Sequence, residues 1–122
     1  MKKILVVDDD PQIVRLLELR LKANNFEVIC GYDGFQCVQM AEEELPDLIV
    51  LDIKMPLRGG INAFEILKST LTTEQIPVIF ITAFPSPEVR KQAMALGAAD
   101  FISKPFKSEL LIEKINAVLN AN

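Results

Sequence analysis

The feature that most constrains the fold is an unbroken run of four apolar residues, Leu48 to Leu51, which ends directly at the carboxylate of Asp52. The run is too short to cross a membrane and too continuous for a strand with one face in solvent. It is typical of a parallel strand that is buried on both faces. Such a strand delivers the next residue to the carboxyl edge of the sheet, where open α/β folds bind their ligands. We therefore expect Asp52 to lie at the centre of a site.

The same unit, a short apolar strand followed by an amphipathic helix, recurs along the chain. Asp10 before Pro11 predicts the start of the first helix, because an N-cap acceptor precedes proline at the first helical position. Gly97 predicts the end of the fourth helix, and Gly59-Gly60 predicts a turn before the third. The alternation predicts an α/β fold, a parallel sheet with helices on both faces and all strand carboxyl ends on one edge. The expected strands cover 4–7, 26–30, 48–51, 77–81 and 98–102, and the expected helices 11–23, 34–44, 61–71, 88–96 and 110–119.

Composition excludes several classes of function. The 122 residues fit one domain, 1–122, with enough hydrophobic residues for a full core. The net charge of −4 argues against a surface that binds nucleic acid or anionic lipid directly. Met1-Lys2-Lys3 leads straight into a strand and no apolar run could span a bilayer, so we expect no signal peptide, no membrane association and a cytoplasmic location. The chain contains no histidine, which excludes histidine-based catalysis and metal ligation within it.

Polar residues capable of chemistry follow the predicted strands. They are Asp8 and Asp9 after the first strand, Asp52 after the third, Thr82 after the fourth and Lys104 after the fifth. If the first and third strands are neighbours, three carboxylates converge and raise one another's pKa unless a cation neutralises them. Mg²⁺ favours such an oxygen-only site. The lysine adds a compensating charge, and the threonine hydroxyl can donate to a ligand oxygen.

This set of residues is suited to phosphoryl transfer onto a carboxylate. Asp52 would be the nucleophile and would form an acyl phosphate, with the metal between Asp52 and the incoming phosphoryl oxygens. Transfers of this kind depend on positioning and charge neutralisation rather than on acid–base chemistry. The absence of histidine is therefore no obstacle.

Four short motifs then reveal a family resemblance that extends over the whole chain. The chain resembles the receiver domain of a two-component response regulator, of the single-domain chemotaxis or sporulation type. Each motif is weak alone, but the order and spacing of all four are highly specific. The motifs are Val7-Asp8-Asp9, Leu51-Asp52-Ile53-Lys54-Met55-Pro56, Ile81-Thr82-Ala83 and Ser103-Lys104-Pro105-Phe106.

The resemblance implies a flavodoxin-like (βα)5 three-layer sandwich, with a parallel five-stranded sheet in the order 2-1-3-4-5. It implies Asp52 as the phosphoacceptor and Asp8 and Asp9 as the acidic pair of the metal site. Asp9, Asp52 and the backbone carbonyl of Lys54 would ligate Mg²⁺. Lys104 would contact the phosphoryl group and precede a cis peptide bond. Thr82 and Phe101 match the family's switch pair, although Phe101 alone could equally be a core residue.

The resemblance also implies how the module works. A sensor histidine kinase or a histidine phosphotransfer protein would supply the phosphoryl group. Phosphorylation would draw Thr82 toward the phosphoryl oxygens and let Phe101 move. The face of the fourth helix, fifth strand and fifth helix would then change for a downstream effector or output domain. The chain would catalyse only its own phosphorylation and dephosphorylation, and would not be an enzyme acting on other substrates.

Two further expectations concern the lifetime of the phosphoryl group and the partner surface. Lys54 and Phe84 occupy the two positions that help set the decay rate in the family, and we expect Phe84 to shield the acyl phosphate from water. Leu16 and Leu19 lie off the main apolar stripe of the first helix. They are either a docking patch for a kinase or phosphotransfer helix or scattered surface leucines, the more common case.

Other functions remain possible on the same fold. A flavodoxin-like cofactor binder would need a phosphate-binding loop rich in Ser, Thr or Gly after the first strand, where this chain has three acids and a proline. A small aspartyl-phosphate phosphatase usually has a second acid two residues after the nucleophile, where this chain has Lys54. A purely structural module is a further alternative, disfavoured because the acids, the threonine and the lysine are all present.

Overall fold

Five short strands form the centre of the molecule. The computed structural model describes residues 1–55, 59–83 and 86–121. The strands form one parallel sheet in the order β2-β1-β3-β4-β5, which confirms the flavodoxin-like fold and the strand order that the resemblance implied. Strands and helices alternate along the chain as β1 (Lys3–Val7), α1 (Pro11–Ala23), β2 (Glu27–Gly31), α2 (Gly34–Glu44), β3 (Leu48–Asp52), α3 (Gly60–Lys68), β4 (Val78–Thr82), α4 (Pro87–Ala95), β5 (Asp100–Ser103) and α5 (Ser108–Asn120).

Alternate side chains of the strands enter two separate hydrophobic layers. On β1, Leu5 and Val7 face a cluster that includes residues of α2, α3 and α4, whereas Ile4 and Val6 face a cluster that includes residues of α1 and α5. The two faces of a strand bury successive residues because the side-chain period of a strand is two. Every residue of β3 and β4 is buried, as expected for strands covered by helices on both faces. The result is the three-layer sandwich that the sequence predicts.

Most helix boundaries agree with the sequence signals. The side chain of Asp10 caps α1 by accepting a hydrogen bond from the backbone N–H of Gln12, and Pro11 is the first helical residue. Gly97, just beyond α4, has a φ of 100°, a left-handed conformation that favours glycine. Within the described residues, no helix is long and apolar enough to cross a membrane.

The prediction for the end of α3 was wrong. We expected the helix to continue to Leu71, but it ends at Lys68, and Leu71 is 84% exposed. The hydroxyls of Ser69 and Thr70 donate to the backbone carbonyls of Glu65 and Ile66, at 2.8 and 2.7 Å. The backbone N–H of Thr70 bonds the carbonyl of Leu67 instead of that of Ile66, so the α-helical pattern ends here. The Thr70 hydroxyl takes the Ile66 carbonyl in place of that backbone donor, and local hydrogen bonding overrides the apolar period.

Candidate phosphoacceptor site

The order of the strands brings the acidic residues together. Because β1 lies between β2 and β3, Val7 at the end of β1 pairs with Leu51, and the residues that follow them, Asp8 and Asp52, lie side by side. Carboxylate oxygens of Asp8, Asp9 and Asp52 all lie within 4.8 Å of one another. The sequence predicted this convergence only on the condition that β1 and β3 are neighbours, and the structure meets that condition.

The two buried acids differ from the third in their surroundings. Asp8 and Asp52 are buried, whereas Asp9 is exposed. Asp8 accepts a hydrogen bond from the backbone N–H of Asp10 at 2.9 Å and another from the ammonium of Lys104 at 2.7 Å. Buried carboxylates require partners of this kind because an isolated charge is costly away from water.

Lys104 connects the two buried acids. Its ammonium nitrogen lies 2.7 Å from an oxygen of Asp8 and 3.6 Å from an oxygen of Asp52. Burial opposes the charge of Lys104, but its hydrogen bond to Asp8 and the negative charges of both acids outweigh that effect, so its pKa is raised. Lys104 therefore stays charged at neutral pH. The peptide bond between Lys104 and Pro105 is cis, as the resemblance implied.

The protonation of the Asp52 carboxyl would change if a cation were bound beside it. Burial, followed by the negative charge of Asp8, raises its pKa to about 7, although Lys104 and a hydrogen bond from the backbone N–H of Lys54 act in the opposite direction. The carboxylate is therefore ionised only in part near neutral pH, and additional positive charge would favour the ionised, nucleophilic form.

Thr82 and Phe101 lie on the neighbouring strands β4 and β5. Thr82 is buried at the end of β4, and its carbonyl accepts a hydrogen bond from the backbone N–H of Lys104 at 2.7 Å. Phe101 is buried in the layer formed with α2, α3 and α4, where it pairs across the sheet with Phe80. The guanidinium of Arg90, on α4, lies 5.6 Å from the centre of the Phe101 ring. The sequence gave no signal for this Arg90 contact, because it depends on how α4 packs on β5.

Three further expectations concern residues near the site, and their outcomes differ. The N–H of Lys54 contacts Asp52, which places the Lys54 backbone beside the acidic cluster. Phe84 and Pro56 lie outside the described residues, so the shielding role of Phe84 stays a prediction. Leu16 and Leu19 are both about half exposed on α1, as their position off the apolar stripe indicated.

Comparison with known protein families identifies the family that has this fold and this cluster of residues. Residues 4–116 match the family model of the response regulator receiver domain, which is most of the chain. The chain belongs to the response regulator receiver domain family. Receiver domains are the phosphoacceptor signalling modules of two-component systems, and in general they interact with kinases and with output domains. The resemblance drawn from the four sequence motifs is thereby confirmed.

Solved structures of other receiver domains have the same fold as this one. The receiver domain of the Francisella response regulator 1452 is 28% identical, with a TM-score of 0.90 over 98% of this chain and 97% of that one. The chemotaxis protein CheY4 of Vibrio cholerae is 28% identical, with a TM-score of 0.91 over 97% and 98%. The BeF3-activated N-terminal receiver domain of RstA from Klebsiella pneumoniae is 26% identical, with a TM-score of 0.89 over 98% and 99%.

Proposed function

We propose that this receiver domain accepts a phosphoryl group on Asp52, with Mg²⁺ bound by the adjacent acids. The observation that supports the proposal is the convergence of three carboxylates with Lys104 at one end of the sheet. Asp52 is the member of this cluster that ends the central strand β3, and its pKa shows that it carries a proton more readily than an ordinary aspartate. To act as a nucleophile, Asp52 must be ionised. Its negative charge then needs a cation beside it before it can approach the negative phosphoryl group.

The residues present fit Mg²⁺. Magnesium prefers oxygen ligands such as carboxylates and backbone carbonyls and keeps several waters. The carboxylate oxygens of Asp8, Asp9 and Asp52 lie within 4.8 Å of one another, close enough to share the charge of one ion. Asp9 and Asp52, with the backbone carbonyl of Lys54, would hold the ion beside Asp8. When bound, the ion neutralises the carboxylates and the phosphoryl oxygens.

The chain's own residues then carry the transfer. A carboxylate oxygen of Asp52 attacks the phosphorus of a phosphohistidine on the partner protein. The new P–O bond forms as the P–N bond breaks, and the electron pair of the P–N bond stays on the imidazole nitrogen. The other ring nitrogen already carries a proton, so the histidine leaves as neutral imidazole. Lys104 contacts the phosphoryl oxygens, and the Thr82 hydroxyl donates a hydrogen bond to one of them. No proton has to move at the phosphorus, which agrees with the absence of histidine from the chain.

This reaction makes the chain a substrate of its partner rather than an enzyme for other molecules. It would catalyse only its own phosphorylation and the later hydrolysis of the acyl phosphate. Neither the site nor the comparisons support a flavodoxin-like cofactor binder or an aspartyl-phosphate phosphatase. The proposal includes a cytoplasmic location, which the free thiols of Cys30 and Cys37 support.

The surface beside the site suits a helical phosphodonor. A groove of about 450 Å³ runs from Lys104 along α1 and the segment that precedes α5. Ile13, Leu16 and Phe106 contribute its apolar lining. Among the described residues, its charged lining is mostly basic, with Arg20, Lys104 and Lys107 against the single acid Glu109. This chemistry fits an amphipathic helix with acidic flanks on a histidine kinase or a histidine phosphotransfer protein. The docking interpretation of Leu16 is therefore the one we adopt.

The signal would leave through the opposite side of the site. Thr82 ends β4, and β5 lies next to it with Phe101 buried beneath α4. When Thr82 turns toward the phosphoryl group, Phe101 would occupy the space it leaves, and the face of α4, β5 and α5 would change for an effector or output domain. Phosphorylation shifts this equilibrium only through contacts that differ between the two states.

The deciding experiment is phosphorylation by acetyl phosphate, with the product measured as intact mass. Wild-type protein should gain one phosphoryl group with Mg²⁺ and none in EDTA, and Asp52→Asn should gain none in either case. Thr82→Ala should still be phosphorylated but respond less to it at the α4–β5–α5 face. A wild-type protein that stays unmodified with donor and Mg²⁺, or an Asp52→Asn variant that is modified equally well, would contradict the proposal.

A further inference from the structure

The first residue of α3, Gly60, is packed against the backbone of the phosphoacceptor. A β-carbon added to Gly60 would overlap the carbonyl oxygen of Asp52 and would lie 2.8 Å from the α-carbon of Ile53. Both are main-chain atoms, which cannot rotate aside as the end of a flexible side chain can. The backbone N–H of Gly60 also donates a hydrogen bond to the carbonyl of Ile53, at 2.8 Å. The start of α3 thus touches the chain directly after the β3 strand.

The need for glycine here is one of space and not of backbone conformation. Gly60 is a buried helical residue without the positive φ of Gly97, where a β-carbon would meet nothing within 4 Å. In a helix, glycine is less favourable than alanine by about 1 kcal/mol within the interior. Glycine at position 60 is therefore explained by the close approach of Asp52 and Ile53, which no other residue would permit.

The segment that Gly60 touches carries three groups of the proposed site. It holds the Asp52 carboxylate, the Lys54 N–H that donates to that carboxylate, and the Lys54 carbonyl. The backbone N–H of Ile53 donates a hydrogen bond to the carbonyl of Ile81 on β4, at 3.1 Å. The segment is therefore fixed by β4 as well as by α3. A displacement at Ile53 would rotate the neighbouring peptide groups. The Lys54 N–H that donates to the Asp52 carboxylate would rotate with them.

Helix α3 is too well anchored to relieve the overlap by moving away. Ala63, Phe64 and Leu67 are buried in the layer beneath the sheet. The ring of Phe64 packs edge-on against Phe80 of β4, with ring centres 5.1 Å apart. Interiors this dense resist displacement of a whole helix. A side chain at position 60 would therefore displace the short segment after Asp52.

We infer that Gly60 is a positioning residue for phosphoryl transfer. Because it lacks a side chain, α3 can pack directly on Asp52 and Ile53, and this contact sets the direction of the Asp52 carboxylate and of the Lys54 backbone. The inference rests on the proposed function of Asp52. It adds that the turn glycines are not equivalent, since Gly60 orients the reacting group and Gly59 does not.

The two adjacent glycines provide a matched pair of variants. A β-carbon on Gly59 would lie 3.6 Å from the Ile53 carbonyl oxygen, an ordinary contact, so Gly59→Ala is the control for Gly60→Ala. The measurements are the rate of phosphorylation by acetyl phosphate and the affinity for Mg²⁺ alone, by calorimetry, at a temperature where circular dichroism shows each variant folded. A merely structural loss of stability would leave the Mg²⁺ affinity of the folded protein unchanged.

We expect Gly60→Ala to lower the phosphorylation rate roughly 100-fold, as small misplacements of reacting groups do, and to weaken Mg²⁺ binding. Gly59→Ala should stay within about twofold of wild type in both, since its added contact is ordinary. A folded Gly60→Ala variant that matches Gly59→Ala would overturn the inference. If instead wild type and Gly59→Ala are themselves not phosphorylated, the proposed function fails, which is a different result.

A second measurement decides the matter if Gly60→Ala does not fold. In wild-type protein, hydrogen exchange of the Gly60 amide reports its hydrogen bond to the Ile53 carbonyl. The Ala63 amide donates to the Gly59 carbonyl at 2.9 Å, so its exchange reports the stability of α3 itself. If Gly60 positions the metal-binding segment, Mg²⁺ should slow exchange at Gly60 more than at Ala63. Equal protection at the two amides, or none, would contradict the positioning role.

Discussion

The two edges of the sheet each place a lysine among carboxylates, but the two clusters differ in how deeply they are buried. At the carboxyl edge, Lys104 lies 2.7 Å from Asp8 and 3.6 Å from Asp52, and the three side chains are 15%, 0% and 5% exposed. At the amino edge, Lys3 lies 3.2 Å from Glu44 and 3.9 Å from Glu27, and these side chains are 26%, 45% and 52% exposed.

The contrast shows that burial, and not the residue types, decides what such a cluster can do. Charges near water are screened, and an exposed ion pair contributes about 0–1 kcal/mol. Charges out of water interact strongly and shift one another's protonation. The carboxyl edge buries Asp8 and Asp52 because the ends of β1 and β3 are covered on both faces, whereas the three charged side chains at the amino edge are all partly exposed.

Lys104→Met should have the largest effect, because it removes the cation from between two buried acids. We expect phosphorylation by acetyl phosphate to slow by roughly 100-fold or more, the usual loss when one preorganised charge donor is removed. The pKa of Asp52 should rise further, since Lys104 acts to lower it. Intact mass against time measures the first effect, and the carboxyl ¹³C shift against pH measures the second. A near-normal rate would show that Lys104 is not part of the site.

Adding Mg²⁺ should stabilise the protein through the acidic cluster alone. At a concentration 100 times the dissociation constant, a ligand that binds only the folded state adds about 2.7 kcal/mol to the free energy of unfolding. Asp9→Asn should lose most of this gain, and an equivalent change at the amino edge, Glu27→Gln, should keep it. Urea unfolding with Mg²⁺ or EDTA gives the comparison. An equal gain in both variants would place the metal elsewhere.

Asp52→Asn should stabilise the metal-free protein at neutral pH. The folded-state pKa of Asp52 is about 7 against an ordinary value of 3.8, so the native state holds a proton that the unfolded state releases. Its contribution to stability is present below pH 4 and is lost as the pH rises to 7. The variant should therefore melt roughly 5 °C higher than wild type at pH 8 in EDTA. The gap should narrow as the pH falls toward 4, and a gap independent of pH would contradict the assignment.

Lys3→Met should have the smallest effect. Its pairs with Glu27 and Glu44 are partly exposed, so we expect a loss of less than about 1 kcal/mol, decreasing as salt is added. Phosphorylation should be unchanged. Urea unfolding in low and high salt tests the first expectation, and a large loss that persists in high salt would show that the two edges are less different than their exposure indicates.

Much of the architecture was predictable because local signals and the fold agree. The cap of α1 by Asp10 and the glycine after α4 followed from side-chain and backbone chemistry within a few residues. The end of α3 was mispredicted because the apolar spacing continued to Leu71, while the backbone N–H of Thr70 had already shifted to Leu67 and its hydroxyl had taken the carbonyl of Ile66. A hydroxyl pair at the end of an apolar stripe is a signal that could have corrected the boundary.

The site shows the same division between local and distant causes. The sequence pointed to five residues because each lies at the end of a strand or directly after it, and parallel strands end at one edge. They are Asp8, Asp9, Asp52, Thr82 and Lys104. The contact of Gly60 with Asp52 could not, because the sequence shows a glycine pair but not which member meets the strand. The contact of Arg90 with the Phe101 ring could not be predicted from the sequence either.

The order of residues along the chain was enough to predict that buried parallel strands would carry acids, a threonine and a lysine to one edge, because short apolar runs that end in polar residues pack in few other ways. The packed fold alone fixed how deeply Asp8 and Asp52 are buried, that they share Lys104, which is 96 positions from Asp8 along the chain, and how closely α3 approaches Asp52. These properties depend on the packing of segments far apart in sequence. A pattern along the chain records the side chains that are available but not the distances between them.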